Sequence, residues 1–563
     1  TEQELTPYLR FLLYKDSTQL FGKKEMKTPI KKLTQIIPDS VALGVREAAG
    51  YQLASIDNNF KMLGQIYTDN KNAVAIHSIE WHRKFTLSIA CLVLFLIGLK
   101  DYLQTHHSIL RNYPLIGHLR FLLEYIRPEI RQYFIESDED KIPFSRNQRV
   151  MVYARSKVQN DKRGFGSIKG MYQQDSEWLG HSNNPQHANP DDFRIKIGGP
   201  DCKQPYFASI FNISAMSFGA LSPNAIRALN KGAKLGGFAH DTGEGSISPY
   251  HREHGGDIIW EIGSGYFGCR NPDGTFSMEK FVEQVSNPQI KMVEIKLSQG
   301  AKPGHGGVLP GAKVTPEIAL TRGVNVGEDC ISPAKHSAFS SPIELMEFIK
   351  QLRQSSDGKP VGFKLCVGQP WEFFGIAKAM LKTNIYPDFI VVDGSEGGTG
   401  AAPVEFTDHV GMPLREGLRL VHNTLVGIGK RQNIRIGASG KIISGYDIVR
   451  AIAIGADWCN SARGFMFALG CIQAQTCHTG NCPTGVTTQD PKRQIALVVP
   501  NKSERVQSFH RHTLESVQEL LQATGLSQPS DLSLKHIMRR MSDHEVRNLD
   551  SLMLSIAPGA LLN

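Results

Sequence analysis

The stretch IRIGASGKIISGYDIVRAIAIGAD, residues 434–457, contains a complete strand, loop and helix unit. Ile434 to Ile436 form a short apolar run, which predicts a buried strand. Gly437 to Gly440 permit tight backbone turns, and Ser444 with Asp447 three positions later has the spacing of a capping box. The unit therefore predicts a strand followed by a helix, whose apolar face is formed by Ile448, Val449, Ile452 and Ala453.

Similar units recur on the N-terminal side of this stretch. From about 195 to 495, short apolar runs end in glycine-rich loops and are followed by helical stretches, as in MVEIKLSQGAKPGHGG (292–307), KPVGFKLCVGQP (359–370) and PDFIVVDGSEGGTGAAP (387–403). Repetition over about 300 residues favours an α/β fold of the (β/α)8 TIM-barrel type over an open sheet, although periodicity alone leaves both possible. In such a barrel the loops after the strands carry the functional site.

Composition narrows the class of protein. The chain has 563 residues, 53 glycines, nine cysteines and a formal net charge of +9. This length can bury one large core and leaves room for an accessory region. Lysine and arginine are interspersed with acidic residues, which argues against a nucleic-acid partner. An odd number of unevenly spaced cysteines argues against a secreted disulfide framework and for a reducing compartment.

One uncharged apolar segment, FTLSIACLVLFLIGL (85–99), interrupts the N-terminal part of the chain. It is shorter than the ~20 residues that normally cross a bilayer, so it is a marginal span. We favour a membrane anchor on the cytoplasmic side over a buried or interface helix of a soluble cytoplasmic protein. About eighty preceding residues argue against a cleaved signal peptide. Basic residues flank both ends, so charge does not indicate an orientation.

The changes in residue pattern along the chain predict five regions. These are an N-terminal region of unknown role (1–84), the anchor helix (85–99), a helical and irregular lead-in (100–194), the barrel (195–500) and a C-terminal helical segment (501–563).

Two glycine-bearing loops have the character of phosphate sites. GASGK (437–441) and NSARG (460–464) follow what would be the last two strands of the barrel. Phosphate is commonly bound at this position in the fold, where backbone N–H groups and helix N-termini face the ligand. Either loop by itself could simply connect two elements, so the prediction rests on the pair.

Three cysteines, Cys471, Cys477 and Cys482, lie in the short segment CIQAQTCHTGNCPTG (471–485). With five and then four residues between them, and turns available at Gly480 and Pro483, their thiolates can converge on one compact cluster. Three structural cysteines or a zinc loop are the alternatives. Zinc normally requires four ligands, and the adjacent His478 could hardly share one tetrahedral ion with Cys477.

Five motifs together resemble the FMN-binding synthase domain of glutamate synthases, and the resemblance covers about 195–495. They are ISAMSFGALS (213–222), TGEGS (242–246), KLSQGAKPGHGGVLPGAKV (296–314), EGGTGAAP (396–403) and CIQAQTCHTGNCPTGVTTQDP (471–491). The segment HSILRNYPLIGHLRFLLEYIRPEIRQYF (107–134) is similar to a stand-alone branch of the same family that is often membrane-anchored, which strengthens the prediction of an anchor.

The resemblance implies FMN and a three-iron, four-sulfide (3Fe-4S) cluster as cofactors, with Cys471, Cys477 and Cys482 as the cluster ligands. Met216 and Ser217 would line the flavin ring, Lys364 would sit at its edge, and Lys296 and Gln299 are further candidates. The ribityl phosphate and its surroundings would be held by Gly397, Gly398, Thr399, Gly437, Ser439, Gly440, Arg463 and Gly464. Because buried lysines on apolar strands are costly unless paired, we interpret Lys296 and Lys364 as functional rather than as members of structural ion pairs.

The resemblance also implies a substrate site for 2-oxoglutarate or a related 2-oxo acid. Lys302 and Arg322 match the family's carboxylate-binding residues, and Glu244 would lie near the imino nitrogen. The chain departs from the family's PGEGGQLPG loop at His305 and Val308. Valine cannot donate the hydrogen bond of glutamine, a loss of ~1–3 kcal/mol if the partner stays buried. The substrate therefore need not be 2-oxoglutarate.

The expected activity is that of a glutamate synthase-like oxidoreductase acting on CH-NH2 donors. Electrons would enter at the cluster and pass through FMN to an imine, with a proton from Glu244 or water. No amidotransferase segment with a nucleophilic cysteine and no dinucleotide fingerprint is recognisable, so free ammonia or a separate glutaminase subunit and an external donor such as ferredoxin are the expected partners. The alternatives are an FMN oxidoreductase with another substrate, such as a quinone, and a membrane-tethered electron-transfer or scaffold protein.

Overall fold

The computed structural model describes residues 74–137 and 143–562, with side chains described from residue 83 onward. The predicted N-terminal region of unknown role therefore lies almost entirely outside the described residues. The chain forms two compact units, 1–131 and 132–563.

The described part of the first unit consists of three helices: α1 (Val74–Leu103), α2 (Ser108–Asn112) and α3 (Gly117–Ile130). The apolar segment predicted at 85–99 is longer in the structure. Arg83–Leu103, 21 residues with a mean hydropathy of 1.8 in its most apolar window, is long and apolar enough to cross a membrane, and only 6% of that window is buried. A core helix or a signal sequence can have the same length and composition.

The second unit is built on a closed eight-stranded parallel barrel, which confirms the predicted fold. Outside the barrel, β2 (Arg194–Ile197) pairs with β3 (Tyr206–Ser209), and β8 (Val308–Leu309) pairs with β9 (Cys330–Ile331), both antiparallel; β1 (Glu177–Leu179) belongs to a separate small sheet. The barrel strands in chain order are β4 (Phe211–Ile213), β5 (His240–Asp241), β6 (Ile258–Ile262), β7 (Ile290–Lys296), β10 (Val361–Leu365), β11 (Phe389–Asp393), β12 (Arg435–Ser439) and β13 (Trp458–Ser461).

Helices cover the outside of the barrel and add short turns at its ends. Ser444 accepts a hydrogen bond from the Asp447 amide and completes the predicted capping box. The helices of the second unit, in chain order, are α4 (Arg146–Ser156), α5 (Pro223–Gly236), α6 (Pro249–Arg252), α7 (Met278–Val285), α8 (Pro316–Arg322), α9 (Pro342–Ser355), α10 (Pro370–Thr383), α11 (Val404–His409), α12 (Leu414–Gly427), α13 (Gly445–Ile454), α14 (Arg463–Leu469), α15 (Pro491–Gln494), α16 (Val499–Thr524) and α17 (Leu549–Leu552).

The strand register places both predicted phosphate loops at the same end of the barrel. Ser439 at the end of β12 pairs with Asn460 of β13, and Asp393 of β11 pairs with Ser439. The segments GASGK and NSARG thus begin inside the seventh and eighth strands and continue past their ends, so both lie at the predicted strand ends, although Gly437 is a strand residue rather than part of the turn. Parallel strands end together, so the loops after them surround one mouth.

The C-terminal segment predicted to be helical is only partly so. After α16, residues Ile537–Arg540 (β14) and Val546–Asn548 (β15) form an antiparallel sheet with β1. The helix α16 packs closely on α5, because Gly232 has no side chain where a Cβ would lie 2.4 Å from Val506. Residues 501–563 therefore form part of the covering of the barrel.

Candidate functional site

Two adjoining cavities open at the C-terminal mouth of the barrel. The larger, which we call the mouth cavity, has a volume of about 270 Å³, and the smaller, the inner pocket, about 60 Å³. The two cavities are neighbours, because several residues line both of them, including Gln299, Gly398 and Arg463. Of the sequence-predicted residues, the mouth cavity is lined by Met216, Ser217, Glu244, Lys296, Gln299, Lys302, Arg322, Gly398, Thr399, Arg463 and Cys477.

The inner pocket lies beneath the two predicted phosphate loops. Its predicted lining residues are Lys364, Gly397, Gly398, Ser439, Gly440 and Arg463, and Gln299 also borders it. A Cβ on Gly398 would lie 2.9 Å from the Arg463 Nε, and Gly440 has a φ of 148°, which side chains rarely adopt. The missing side chain of Gly398 therefore makes space for the Arg463 guanidinium at the edge of this pocket.

Two predicted glycines are outside both linings. A Cβ on Gly437 would lie 2.5 Å from the Trp458 ring, and a Cβ on Gly464 would lie 2.6 Å from the Ser461 Oγ. Their missing side chains make space for neighbouring protein atoms. Their assignment to the cofactor remains a prediction.

One wall of the mouth cavity carries an ion pair. Lys296 Nζ lies 3.1 Å from Glu244 Oε2, and Ser332 donates a 3.4 Å hydrogen bond to the same oxygen. Burial by itself would raise the pKa of Glu244, but Lys296, with help from Arg322 and Lys302, lowers it to about 2. Glu244 is therefore ionised at neutral pH and accepts hydrogen bonds rather than donating a proton.

Two further cations complete this wall. Lys302 is almost fully buried, and burial lowers its pKa even though Glu244 opposes the shift. Arg322 is 4% exposed; it donates to the Phe218 carbonyl oxygen at 2.8 Å and lies 5.2 Å from the Phe267 ring centroid. Its Nε has no hydrogen-bond partner among the described residues. The wall therefore presents positive charge suited to a carboxylate.

Lys364 lies at the centre of a buried ion cluster inside the barrel. Its ammonium contacts Glu261 and lies 3.3 Å from Glu294 Oε1, and carboxylate oxygens of Glu261, Glu294 and Asp241 lie within 4.8 Å of one another. Burial, and then repulsion by Glu261, raises the pKa of Asp241 to about 7. Both Lys296 and Lys364 are thus in ion pairs, the arrangement that the sequence argument disfavoured, and both also line a cavity.

Sequence reasoning missed the acidic members of this cluster. Glu261 and Glu294 lie in the strands IIWEI and MVEIK, where a charged residue interrupts a buried apolar run. The same signal pointed to the lysines and was not applied to the glutamates. Lys313, which lines the mouth cavity and donates to the Cys477 carbonyl oxygen at 2.8 Å, was also missed.

The cysteine segment also borders the mouth cavity. Cys477 and His478 line it, and Arg463 Nη1 lies 3.8 Å from the Cys477 sulfur. Cys471 and Cys482 are buried. Among the described residues the three sulfurs are not grouped within 4.8 Å of one another, as ligands of a single ion would be.

The thiols of this segment are in different environments. Burial raises the pKa of Cys471 to about 11. Burial acts in the same direction on Cys482, but hydrogen bonds from Thr484 and Thr487 outweigh it and lower the pKa of Cys482. A thiolate at Cys482 is thus stabilised by its own loop.

Both departures from the family's loop lie on the surface. Val308 is 46% exposed and borders the mouth cavity, and His305 is exposed with Nδ1 2.8 Å from the Gly306 oxygen. His305 is not among the residues that line the mouth cavity.

Comparisons with known proteins agree with this architecture. Residues 173–527 match the model described as the conserved region in glutamate synthase. The glutamate synthase large subunit-like protein YerD of Bacillus subtilis (strain 168) is 40% identical over 498 residues, which cover 81% of this chain and 94% of YerD. An archaeal-type glutamate synthase (NADPH) of Thermotoga neapolitana is 36% identical over 318 residues, 56% of this chain and 59% of that relative. A solved structure of a mandelate oxidase variant with (S)-mandelic acid covers 71% of this chain and 90% of its own at 14% identity, with a TM-score of 0.40, a likeness too low to bear on function.

Proposed function

The chain belongs to the glutamate synthase family, and we propose that it is an FMN and iron–sulfur oxidoreductase that reduces the imine of 2-oxoglutarate or a related 2-oxo acid to an amino acid. The observation that most supports this is the mouth cavity. It is lined by the cations Lys302 and Arg322 and also by Arg463 beside Cys477. Substrate and electron entry would thus border the same cavity.

The inner pocket fits the phosphate of FMN. The flavin, when bound, would supply transfer of an electron pair to the substrate. Arg463 and the bare backbone at Gly398 and Gly440 would hold the phosphate, since guanidinium and close backbone approach both suit that group. Met216 and Ser217, on the adjoining mouth cavity, would contact the ring.

The cysteine segment fits an iron–sulfur cluster. A cluster held by Cys471, Cys477 and Cys482 would supply one-electron relay to the flavin. Arg463 contacts both the Cys477 sulfur, at 3.8 Å, and the Thr399 carbonyl oxygen, at 2.5 Å. The same guanidinium would therefore lie between the two cofactors and fix their separation.

The substrate's carboxylate would bind to Lys302 and Arg322. The exposed apolar side chain of Val308 beside them offers no hydrogen bond to a second carboxylate. This favours, as a second candidate, a 2-oxo acid that lacks the distal carboxylate of 2-oxoglutarate. The two candidates differ only in this substrate.

The proton for the amino acid would come from water rather than from Glu244. Glu244 is ionised beside Lys296, and its carboxylate would accept a hydrogen bond from the imine N–H. Lys302 would keep its proton, because the bound carboxylate of the substrate stabilises the ammonium form.

The nitrogen and the electrons would be supplied from outside the barrel. We propose free ammonia or a separate glutaminase subunit as the nitrogen source and an external donor such as ferredoxin for the electrons. The relative from Thermotoga carries NADPH in its name, but this chain spans only about three fifths of that relative.

We also propose that Arg83–Leu103 anchors the protein to the cytoplasmic side of a membrane. Its 21 residues reach ~30 Å as a helix, the thickness of the hydrocarbon core. An arginine at its centre, Phe95→Arg, costs ~2.5–3.5 kcal/mol of insertion and should shift the protein out of carbonate-washed membranes. Phe207→Arg, at an equally exposed position of the second unit, is the control and should leave the distribution unchanged. A soluble wild-type protein would refute the anchor.

The decisive experiment is anaerobic reoxidation. The purified chain should show flavin absorbance with iron and acid-labile sulfide, and the photoreduced flavin should be reoxidised by ammonia together with one 2-oxo acid of a panel. Reoxidation by 2-oxoglutarate identifies glutamate synthesis, whereas reoxidation only by a monocarboxylic 2-oxo acid identifies the second candidate. No reoxidation by any member of the panel refutes the proposed reaction.

The cluster is tested separately. Cys477→Ser should lose iron and sulfide while it keeps bound flavin. Cys202→Ser is the matched control, because Cys202 is partly exposed and donates only to the Gly358 carbonyl oxygen. Iron content in Cys477→Ser equal to that of the control would refute the assignment of this ligand.

A further inference from the structure

A second cleft lies behind the wall that carries Arg322. It has a volume of about 450 Å³, and four of its lining side chains are cationic: Arg252, Arg270, Lys280 and Arg322. No aspartate or glutamate is among the residues that line it. We call it the basic cleft, and no part of the proposed reaction uses its three outer cations.

The cations of the basic cleft are not neutralised by the protein. Within the part of the chain that the structure describes, none of the four forms an ion pair within 4.0 Å. Lys280 donates instead to the Arg270 carbonyl oxygen at 2.7 Å, and Arg252 to the side chain of Gln284. Arg270 acts electrostatically on Asp273, an exposed carboxylate outside the lining that is hydrogen-bonded to Thr275.

Two of the guanidinium groups also carry one N–H without an acceptor. The Nε atoms of Arg270 and Arg322 are buried and have no hydrogen-bond partner among the described residues. Buried N–H groups of this kind are normally satisfied, and an anion is the partner that a charged donor prefers. Four like charges around one cleft repel each other, and a bound anion removes that repulsion.

We propose that the basic cleft binds a small phosphorylated metabolite. Arginine pairs with phosphate through two parallel N–H bonds, and lysine adds a point charge. The cleft is larger than a phosphate group alone requires, and Ile247, Pro249 and Leu320 provide apolar surface for an organic part of the ligand. The class of ligand is therefore defined by a phosphate group that binds the four cations and an organic part that contacts these three apolar residues.

The position of Arg322 gives this site a consequence for the substrate. Arg322 is 96% buried and borders both the basic cleft and the mouth cavity. An anion on one side of its guanidinium weakens its attraction for a carboxylate on the other. This coupling, which rests on the proposed function, makes the basic cleft an inhibitory site, and binding linkage requires the two ligands to weaken each other equally.

Pyrophosphate binding by titration calorimetry tests the site without any turnover. The wild-type protein should bind one pyrophosphate per chain, and Arg252→Ala with Lys280→Ala should weaken binding about tenfold or more, since each lost charged hydrogen bond is worth at least one such factor. Both residues are exposed, so the variant should fold. Lys234→Ala, an exposed lysine on α5 outside the cleft, is the control.

Three outcomes overturn the proposal. They are the absence of saturable binding to wild type, equal affinity in the double variant, and equal weakening by Lys234→Ala, which would indicate non-specific attraction to a basic protein. The coupling is tested by repeating the titration with saturating 2-oxo acid, where an unchanged affinity refutes it. If no 2-oxo acid binds at all, the proposed function is refuted. The pyrophosphate titration without 2-oxo acid still tests the basic cleft independently.

Discussion

Replacement of Lys364 by methionine should destabilise the barrel through the charges it leaves behind. The ammonium is the cation that lies within 4.0 Å of both Glu261 and Glu294 among the described residues. Methionine keeps most of the side-chain volume but leaves these carboxylates, with Asp241, unpaired in the interior. Removing one partner from a buried ion pair costs about 3–5 kcal/mol.

The size of the second unit determines how large a change in melting temperature this loss of free energy produces. At ~2.1 cal/mol/K per residue, the unit of residues 132–563 has an unfolding entropy of about 0.9 kcal/mol/K. The loss then corresponds to a Tm about 3–5 °C below wild type, measured by circular dichroism at pH 8. At pH 5 the difference in Tm between the variant and the wild type should be smaller, because the unpaired carboxylates can take up protons.

The matched control restores the charge balance. Lys364→Met combined with Glu261→Gln removes one cation and one anion and should recover part of the lost Tm. A Lys364→Met variant whose Tm at pH 8 is within 1 °C of wild type would show that the ammonium does not neutralise the cluster. The same result would weaken our account of how the inner pocket keeps its shape.

Three further perturbations test other parts of the structure. Because the pKa of Asp241 is raised, the folded protein holds a proton that the unfolded chain releases, so the stability of the wild type should fall as pH rises from about 4 to about 7. Asp241→Asn should flatten this dependence of Tm on pH. Gly300→Ala would bring a Cβ to 1.9 Å from the Gly394 carbonyl oxygen. The two loops would have to move apart, which should lower the free energy of unfolding by ~1–3 kcal/mol and release flavin. The flavin absorbance retained after gel filtration measures the release. Ser444→Ala removes the side chain that caps the Asp447 amide, and it should lower the free energy of unfolding derived from Tm by about 1 kcal/mol. The flavin content should stay at the wild-type value. An unchanged Tm would contradict the capping argument.

Local chemistry made much of the fold predictable. The strand, loop and helix periods identify the barrel, and Ser444 with Asp447 marks a helix start that depends on residues three positions apart. The order of the loops along the chain also locates the two phosphate loops after the last two strands, because every parallel strand ends at the same mouth. The sheet formed by β1, β14 and β15 was not predicted, since it pairs segments about 360 residues apart.

The glycine loops, the three cysteines and the charged residues inside apolar strands can all be recognised in the amino-acid sequence. Which of these groups meet depends on the closed barrel. Lys364 faces Glu261 and Glu294 because three strands place their side chains in one barrel interior. Arg322, the last residue of α8, lines both the mouth cavity and the basic cleft. The physical reason is range: capping, turns and periodicity act over a few residues, whereas ion pairing and cavity walls depend on distances set by closure of the whole barrel.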